Sequence, residues 1–344
     1  MIGRRIVPLL FALLPVLSTG ARGDDAIPEP PPFEEWLDGV RAEARAAGIS
    51  EATLEAALSG LEPDMRVIAL DRRQPEFTQS FAEYMTARVS ETRIARGLEK
   101  MAEHRDLLRR VGERYGVQPR FIAAIWGLET NYGATSGTMS VPRSLATLAW
   151  DRRRPDYFRG ELLAALRILD EGHIAAGEMI GSWAGAMGQS QFMPSSFLEY
   201  AQDFDGDGRR NIWSDPGDVF ASIAHYLKKY GWNADMTWGR QVLLPEGISA
   251  ESLAPKEPPK TCRRALDAHS ERLLLPVWQD MGVRRMNGTA LPKRDFLASL
   301  VEPAGPGGPA FLTYNNFRAI LRYNCSNFYA LAVGHIADRL REGE

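Results

Sequence analysis

A single glutamate near the end of a predicted helix is the best candidate in this sequence for acid–base chemistry. Pro119 suits the first helical position, and Gly133 suits the exit from the helix. Ile122, Ile125 and Glu129 are three and four residues apart, so they share one face, which is otherwise apolar. Burial on such a face would raise the pKa of Glu129 and let it act as a general acid near neutral pH. The alternative is a glutamate at the helix end that reaches solvent.

A second stretch has the composition of a sugar-binding loop. Gly181, Gly185 and Gly188 would let the backbone approach a ligand closely. Gln191 and Phe192 follow them, a polar group beside an apolar surface. A sugar has an apolar face and a rim of hydroxyl groups, so this pair suits a glycan. The alternative is a tight loop that only packs helices together.

An acidic stretch matches the opening of a calcium loop. Carboxylates alternate, and glycine stands at the sixth position, in the run Asp203-Phe204-Asp205-Gly206-Asp207-Gly208-Arg209. Ser214 occupies the twelfth position, where a standard loop has glutamate. Asp218 is the favoured closing carboxylate, and Asp215 is the other candidate. The alternative is a turn made of aspartate and glycine without a metal ion.

Composition limits the classes of function. The chain has 344 residues with 44% hydrophobic content, enough for a folded core of two or three domains or subdomains. Its formal net charge is −3, so it has no basic field for nucleic acid. Cys262 and Cys325 are its two cysteines. They are expected either to pair in an oxidising compartment or to remain separate buried thiols.

The first residues have the pattern of an export signal. Arg4 and Arg5 precede an apolar run over residues 6–17, and small residues follow. This pattern predicts a signal peptide over residues 1–23 and a Pro-rich linker over 24–33. No cysteine stands near the predicted cleavage site to carry a lipid anchor. We therefore expect a soluble mature protein in an exported compartment.

Hydrophobic periodicity predicts a mainly α (α+β) fold. Residues 34–116 form a predicted N-terminal helical region, and 117–237 form the unit that contains Glu129 and the acidic loop. Residues 238–316 form a predicted small β subdomain, with a hairpin of residues 296–301 and 310–314 around a Gly/Pro-rich turn. Residues 317–344 form a helical segment that returns to the core.

Several motifs in order resemble the membrane-bound lytic murein transglycosylase B family, glycoside hydrolase family 103. The resemblance covers about residues 117–333 and rests on Gly127-Leu128-Glu129-Thr130-Asn131-Tyr132-Gly133, on Gly185 to Ser195, on the acidic loop and on Arg322-Tyr323-Asn324. It implies a lysozyme-like catalytic core, flanked by an α-helical region and a small inserted β subdomain. It also implies cleavage of the bond between N-acetylmuramic acid and N-acetylglucosamine in peptidoglycan, leaving 1,6-anhydro ends.

The resemblance also implies roles for individual residues. Glu129 would be the sole catalytic acid and base. The implied substrate-binding residues are Ser182 and Gln191 at the cleavage subsite, Phe192 as a stacking wall, Tyr157 and Tyr226 in the groove, and Tyr323, Asn324 and Tyr329 near the C-terminus. The implied calcium loop contains Asp203, Asp205, Asp207, Arg209 and Asp218 and is one residue longer than the family pattern.

The resemblance further implies a periplasmic monomer that needs no cofactor for catalysis and holds a structural calcium ion. Its expected partners are peptidoglycan glycan strands and other cell-wall enzymes, with no nucleic acid and no membrane anchor. Three other functions stay open at this level. They are a hydrolytic muramidase or chitinase-like enzyme, a non-catalytic wall-binding scaffold, and a calcium-regulated module.

Overall fold

The computed structural model describes residues 30–73, 79–151 and 153–343. The predicted signal peptide and residues 24–29 of the predicted linker lie outside these ranges. Within them the fold is mainly helical. The helices are α1 Phe33–Ala46, α2 Glu51–Leu58, α3 Met65–Arg73, α4 Phe81–Arg88, α5 Glu91–Glu103, α6 Arg105–Tyr115, α7 Pro119–Thr130, α8 Val141–Trp150, α9 Pro155–Asp170, α10 Pro194–Tyr200, α11 Pro216–Lys229, α12 Arg263–Leu266, α13 Leu275–Asp280, α14 Asn315–Tyr323 and α15 Asn327–Arg339.

Helix α7 lies at the centre of the helical core. Pro119 occupies its first turn, as predicted. Its exit differs from the prediction, because the left-handed residue that caps the helix is Asn131 with φ 50°, two residues before Gly133. The one-faced burial is also wrong, since residues on every side of the helix from Arg120 to Leu128 are buried. Helices α5, α6, α11 and α15 all pack against α7, which explains this burial.

The predicted β subdomain is confirmed as a 5-stranded antiparallel sheet in the order β4-β6-β7-β3-β5. A separate two-stranded ladder joins β1 to β2. The strands are β1 Met139–Ser140, β2 Ile180–Gly181, β3 Gly239–Leu243, β4 Leu273–Leu274, β5 Arg284–Arg285, β6 Leu297–Val301 and β7 Ala310–Thr313. The predicted hairpin is β6–β7, in the register Ser299 to Thr313 and Val301 to Phe311.

Strands β6 and β7 bury both of their faces. Val301 and Phe311 belong to the large helical core. Leu300 and Leu312 belong to a small core of the subdomain itself. Side chains alternate between the two faces of a strand, so neighbouring residues enter different cores. The sheet is therefore attached to the helices through one of its faces.

A disulfide and a buried histidine also tie the β subdomain to the C-terminal helices. Cys262 and Cys325 form a disulfide, which decides between the two states left open by the sequence. His269 is 1% exposed and contacts Ser299 Oγ of β6 at 3.0 Å and Asn327 Oδ1 of α15 at 2.9 Å. Asn327 Nδ2 donates to a backbone carbonyl, so Oδ1 is its acceptor and His269 Nε2 carries the proton.

Within residues 30–73, 79–151 and 153–343, none of the helices combines the length and the apolar character that a membrane span requires.

Candidate active site

Glu129 lies in the last turn of α7, where the buried helix reaches the surface. Its neighbours Leu128 and Thr130 are buried, while Glu129 itself is half-buried. A carboxyl in this position is held by a rigid helix and remains accessible to a ligand. Such a placement suits a group that must meet a reacting atom in a fixed geometry.

Tyr329 contacts this carboxyl directly. Its hydroxyl donates to Glu129 Oε1 over 2.6 Å, and the two residues are 200 positions apart in the chain. Burial is the main cause that raises the pKa of Tyr329, and the negative charge of Glu129 raises it further. The phenol therefore stays protonated and acts as a donor that orients the carboxyl.

Tyr323 is the second tyrosine whose phenol is affected by Glu129. Burial chiefly raises its pKa, and Glu129 is the next contributor. Its hydroxyl donates to the Ser190 carbonyl over 2.6 Å. This bond connects α14 to the loop that contains Gly181, Gly185 and Gly188, called the glycine-rich loop below. The Glu129 carboxylate thus influences two tyrosines that come from α14 and α15.

The glycine-rich loop folds back on itself through short bridges between Gly181, Met187 and Phe192. Gly188 has φ +61°, and a Cβ there would lie 2.5 Å from the Ile212 carbonyl oxygen, so only glycine fits. Gln191 also has a left-handed backbone, with φ 51°. This conformation is costly for a residue with a side chain and is often found at functional sites.

The two polar residues expected at the cleavage subsite are held by backbone contacts. Gln191 Nε2 donates to the Gly188 carbonyl over 2.8 Å and to the Ser136 carbonyl over 3.2 Å. Ser182 Oγ accepts from the Ala186 amide over 3.1 Å. Both side chains are half-buried. Each is therefore fixed in the loop while part of its surface faces solvent.

The aromatic residues pack in a layer beside this loop. Phe192 is 3% exposed, and its ring centroid lies 5.6 Å from those of both Tyr226 and Tyr323. Tyr226 is also buried, and its hydroxyl donates to the Arg322 carbonyl over 2.5 Å. Phe192 thus packs closely against Tyr226 and Tyr323, and its role as a stacking wall for a ligand stays a prediction.

Two expected binding residues have no described contact with Glu129. Tyr157 is 49% exposed on α9, and its ring contacts Phe158 of the same helix. Asn324 is exposed in the turn between α14 and α15, next to the disulfide. The structure thus brings Tyr323 and Tyr329 to Glu129, and it gives Tyr157 no described contact with that group.

The acidic loop brings part of its predicted ligand set together. Carboxylate oxygens of Asp203, Asp205 and Asp218 lie within 4.8 Å of one another. Asp207 and Arg209 lie on the same exposed loop, outside this group of three. The Asp207 side chain instead accepts a hydrogen bond from the Arg209 amide over 2.7 Å.

Asp218 is the carboxylate that closes the acidic loop, whereas Asp215 lies at the start of α11 and caps that helix. Asp215 caps α11 by accepting from the Asp218 amide. Asp218 is 1% exposed and accepts from the Phe204 and Asn211 amides over 2.7 and 2.6 Å. Burial raises the pKa of Asp218 to about 6, and the charges of Asp215 and Asp205 add to this rise. Asp203, Asp205 and Asp218 thus bring negative charges close together, and such a group of carboxylates suits a hard cation such as calcium.

Sequence analysis missed two polar residues that support the site. Gln189 accepts from Trp126 Nε1 over 2.8 Å and donates to the Trp213 carbonyl over 2.9 Å, so it joins α7 to the acidic loop. Glu161 on α9 accepts from the Ser195 amide and hydroxyl at the start of α10. Their partners are 24 to 63 residues away, so no local pattern could have indicated these contacts.

A helical core with one half-buried glutamate at a helix end, tyrosines around it and a glycine-rich loop beside it defines a lysozyme-like class of protein. Comparison with known proteins narrows this class. The model of the transglycosylase SLT domain family matches residues 32–338. The chain belongs to this family.

Individual relatives agree with this assignment. The chain is 34% identical over 255 residues to membrane-bound lytic murein transglycosylase B of Escherichia coli K12, which is 70% of this chain. The match spans 62% of that relative's length. SltB3 of Pseudomonas aeruginosa, in complex with NAG-anhNAM-pentapeptide, superposes with a TM-score of 0.83 at 47% identity, over 91% of this chain and 80% of SltB3.

A second solved structure concerns the metal. The lytic transglycosylase SLT35 of Escherichia coli, in complex with calcium, superposes with a TM-score of 0.72 at 28% identity. The superposition covers 90% of this chain and 93% of SLT35. The lysozyme-like, mainly helical fold expected from the motifs is therefore confirmed.

Proposed function

We propose that this protein is a lytic transglycosylase that cleaves the β-1,4 bond between N-acetylmuramic acid and N-acetylglucosamine in peptidoglycan. The reaction forms 1,6-anhydro-N-acetylmuramic acid ends and serves cell-wall turnover or remodelling. One observation carries the proposal. It is the half-buried Glu129 at the end of α7, held by the Tyr329 hydroxyl in a fold of this family.

Glu129 performs both proton transfers in the proposed mechanism. As an acid it gives its proton to the glycosidic oxygen, and the bond to C1 breaks with the electron pair going to that oxygen. As a carboxylate it then takes the proton of the C6 hydroxyl on the same muramic acid. The C6 oxygen attacks C1, which closes the anhydro ring and restores the protonated glutamate.

A single carboxylate suffices because the nucleophile belongs to the substrate. Most glycosidases use two carboxyl groups, the second as a base or as a nucleophile. Here the C6 hydroxyl is already attached to the reacting sugar, so correct orientation replaces a bound water. The N-acetyl group of the substrate can stabilise the intermediate, as in substrate-assisted enzymes.

The neighbouring residues support binding of an uncharged glycan. Ser182 and Gln191 provide polar groups at the cleavage subsite, and Tyr226, Tyr323 and Tyr329 form the groove, with Phe192 as a stacking wall that packs against Tyr226 and Tyr323. Tyr157 and Asn324 extend this surface. The ligand named for SltB3 contains an anhydro sugar, which favours ring closure over hydrolysis.

The remaining assignments follow from the same family. The division into units 34–116, 117–237, 238–316 and 317–344 stays part of this proposal.

Asp203, Asp205 and Asp218 would hold a structural calcium ion, with no role in catalysis. We expect the predicted signal peptide to direct the mature protein to the periplasm, where it acts as a monomer. Its partners there are glycan strands and other cell-wall enzymes.

Mass spectrometry of digested peptidoglycan tests the proposal. The mature protein and its Glu129→Gln variant are each incubated with purified peptidoglycan. We expect products lighter than hydrolysis products by one water, about 18 Da, because ring closure replaces water addition. The variant should release none. Reducing ends from the wild type would instead identify a hydrolytic muramidase, and no products from either protein would favour a wall-binding scaffold.

A further inference from the structure

A cavity of about 340 Å³ lies where α14 meets the end of α11 and the segment around α12. Neither Glu129 nor Tyr329 lines it, so it is separate from the candidate active site. Its polar side chains are a phenol, a hydroxyl and two guanidinium groups, from Tyr230, Thr261, Arg318 and Arg322. None of the described lining residues is acidic. The cavity therefore has a positively charged lining in a chain whose formal net charge is −3.

Arg318 is half-buried in this lining without a counter-ion. Burial lowers the pKa of Arg318 to about 10, the charge of Arg272 lowers it further, and no described carboxylate raises it. Burial likewise lowers the pKa of Arg272, which is also half-buried. Removing a cation from water without pairing it is unfavourable. An anion in the cavity would offset this cost.

The second guanidinium, that of Arg322, is held in a fixed position. Its Cζ lies 4.7 Å from the centre of the Tyr230 ring, and Tyr230 Oη lies 2.6 Å from Tyr200 Oη. Arg322 also donates a hydrogen bond to the Tyr230 phenol, which leaves others of its five N–H donors for a ligand. The Cys262–Cys325 disulfide fixes the facing wall to the end of α14. A preformed site of this kind loses little entropy when a ligand binds.

We propose that this cavity is a binding site for an oxyanion of the phosphate class, held by Arg318 and Arg322. A phosphate group carries about −1.5 to −2 charges near pH 7 and three strong acceptor oxygens, which suits two guanidinium forks. A single carboxylate carries one charge and would neutralise the two arginines less completely. Free phosphate and the phosphate headgroup of a lipid share the required chemistry. The assignment does not depend on the proposed cleavage reaction.

Isothermal titration calorimetry with inorganic phosphate tests the assignment on the mature protein. The titration is performed without calcium and at an ionic strength kept constant with chloride. Arg318→Gln is compared with the control Arg263→Gln, which removes the same charge. Arg263 lies outside the lining of the cavity and pairs with Asp267 at 3.7 Å.

We expect the wild type to bind one phosphate per chain and Arg318→Gln to bind it about tenfold more weakly, the usual effect of losing one charge-assisted hydrogen bond. Arg263→Gln should match the wild type. Arg318→Lys should have an intermediate affinity, because it keeps the charge and loses the fork. No binding by the wild type, or equal binding by the wild type and Arg318→Gln, would overturn the assignment.

The melting temperature separates a binding role of Arg318 from a structural one. In phosphate-free buffer Arg318→Gln should melt no lower than the wild type, because the substitution removes a charge that has no counter-ion. Added phosphate should then raise the melting temperature of the wild type more than that of the variant. A variant that melts well below the wild type without phosphate would show that Arg318 is structural, which would overturn the assignment.

Two further ligands define the class and the source of the anion. Succinate carries two carboxylates, and binding of succinate as tight as that of phosphate would overturn the phosphate assignment. Sedimentation with phosphatidylglycerol vesicles tests the lipid source. If the wild type sediments with the vesicles and Arg318→Gln does not, the ligand is a lipid headgroup. If free phosphate binds and the two proteins behave alike with vesicles, the ligand is a small soluble phosphate.

Discussion

The Glu129 site and the acidic loop are two clusters of functional groups built in opposite ways. In the Glu129 site, the carboxyl and its phenol donor are 200 residues apart and meet only because α7 and α15 pack together. In the acidic loop, Asp203, Asp205 and Asp218 lie within one short stretch and are oriented by nearby backbone amides. The first cluster depends on the whole fold, whereas the second is largely local.

The two clusters should therefore respond differently to substitution. Conservative substitutions in the Glu129 site should change catalysis and leave stability nearly intact, because each alters one polar group and keeps the packing of the surrounding core. Loss of a cation from the acidic loop should change stability and leave catalysis nearly intact. The predictions below test this separation, beginning with the largest effect.

Glu129→Gln should lower the rate of peptidoglycan cleavage at least a thousandfold, equivalent to about 4 kcal/mol of transition-state stabilisation. The amide keeps the size of the side chain but cannot transfer a proton. Initial rates from muropeptide release and the melting temperature should be measured together. A large loss of melting temperature in this variant would show that the separation between catalysis and stability is wrong.

His269 tests how strongly the β subdomain supports α15. Burial lowers the pKa of His269 to about 4, below its ordinary value of about 6.5 in the unfolded chain. The unfolded state therefore binds the proton first, so this contribution is complete above pH 6.5 and is lost as the pH falls toward 4. The loss amounts to roughly 3 kcal/mol of the free energy of unfolding.

Urea unfolding from pH 7 to pH 4 measures this effect. The wild type should lose more stability over that range than His269→Gln, which has no group that titrates there. The other titrating groups are common to both proteins, so the difference between the two curves isolates His269. Parallel curves would contradict a lowered pKa of His269 in the folded protein.

Tyr329→Phe should reduce the cleavage rate about 10–100-fold, because a hydrogen bond to a charged group contributes about 1.5–3 kcal/mol. Tyr323→Phe is the matched control, since its hydroxyl donates to the Ser190 carbonyl and not to Glu129. It should cost less than tenfold. A larger loss in Tyr323→Phe than in Tyr329→Phe would contradict the orienting role assigned to Tyr329.

Calcium removal should give the smallest effect. A ligand that binds only the folded state stabilises it, so chelation should lower the melting temperature by a few degrees, for a stabilisation of about 1–3 kcal/mol. Asp203→Asn should abolish this calcium dependence. Activity measured well below the melting temperature should change less than twofold. A large fall in activity on chelation would indicate a calcium-regulated enzyme instead.

The sequence contained enough information for those parts of the molecule that depend on neighbouring residues. The start of α7 at Pro119 follows from the fixed φ of proline. The β6–β7 hairpin follows from two apolar runs around a Gly/Pro-rich turn. The alternation of Asp203 and Asp205 likewise pointed to a local cluster, which the structure places with Asp218.

Contacts between distant residues could not be predicted in this way. The burial of α7 on every side depends on four other helices, so the one-faced pattern of Ile122 and Ile125 was misleading. The burial of Phe192 depends on packing against Tyr226 and Tyr323, which come from distant parts of the chain. Tyr323 and Tyr329 were selected through resemblance to a family and not through any local pattern.

The distance in sequence between Glu129 and Tyr329 has a consequence for the order of events during synthesis. A chain synthesised from its N-terminus contains the acid long before the phenol, because 200 residues separate them. The Cys262–Cys325 bond can likewise form only after residue 325 has emerged. Unfinished chains therefore lack the hydrogen bond that orients the candidate catalytic group. The proposed wall-cleaving activity would arise only after the helix that carries Tyr329 has folded.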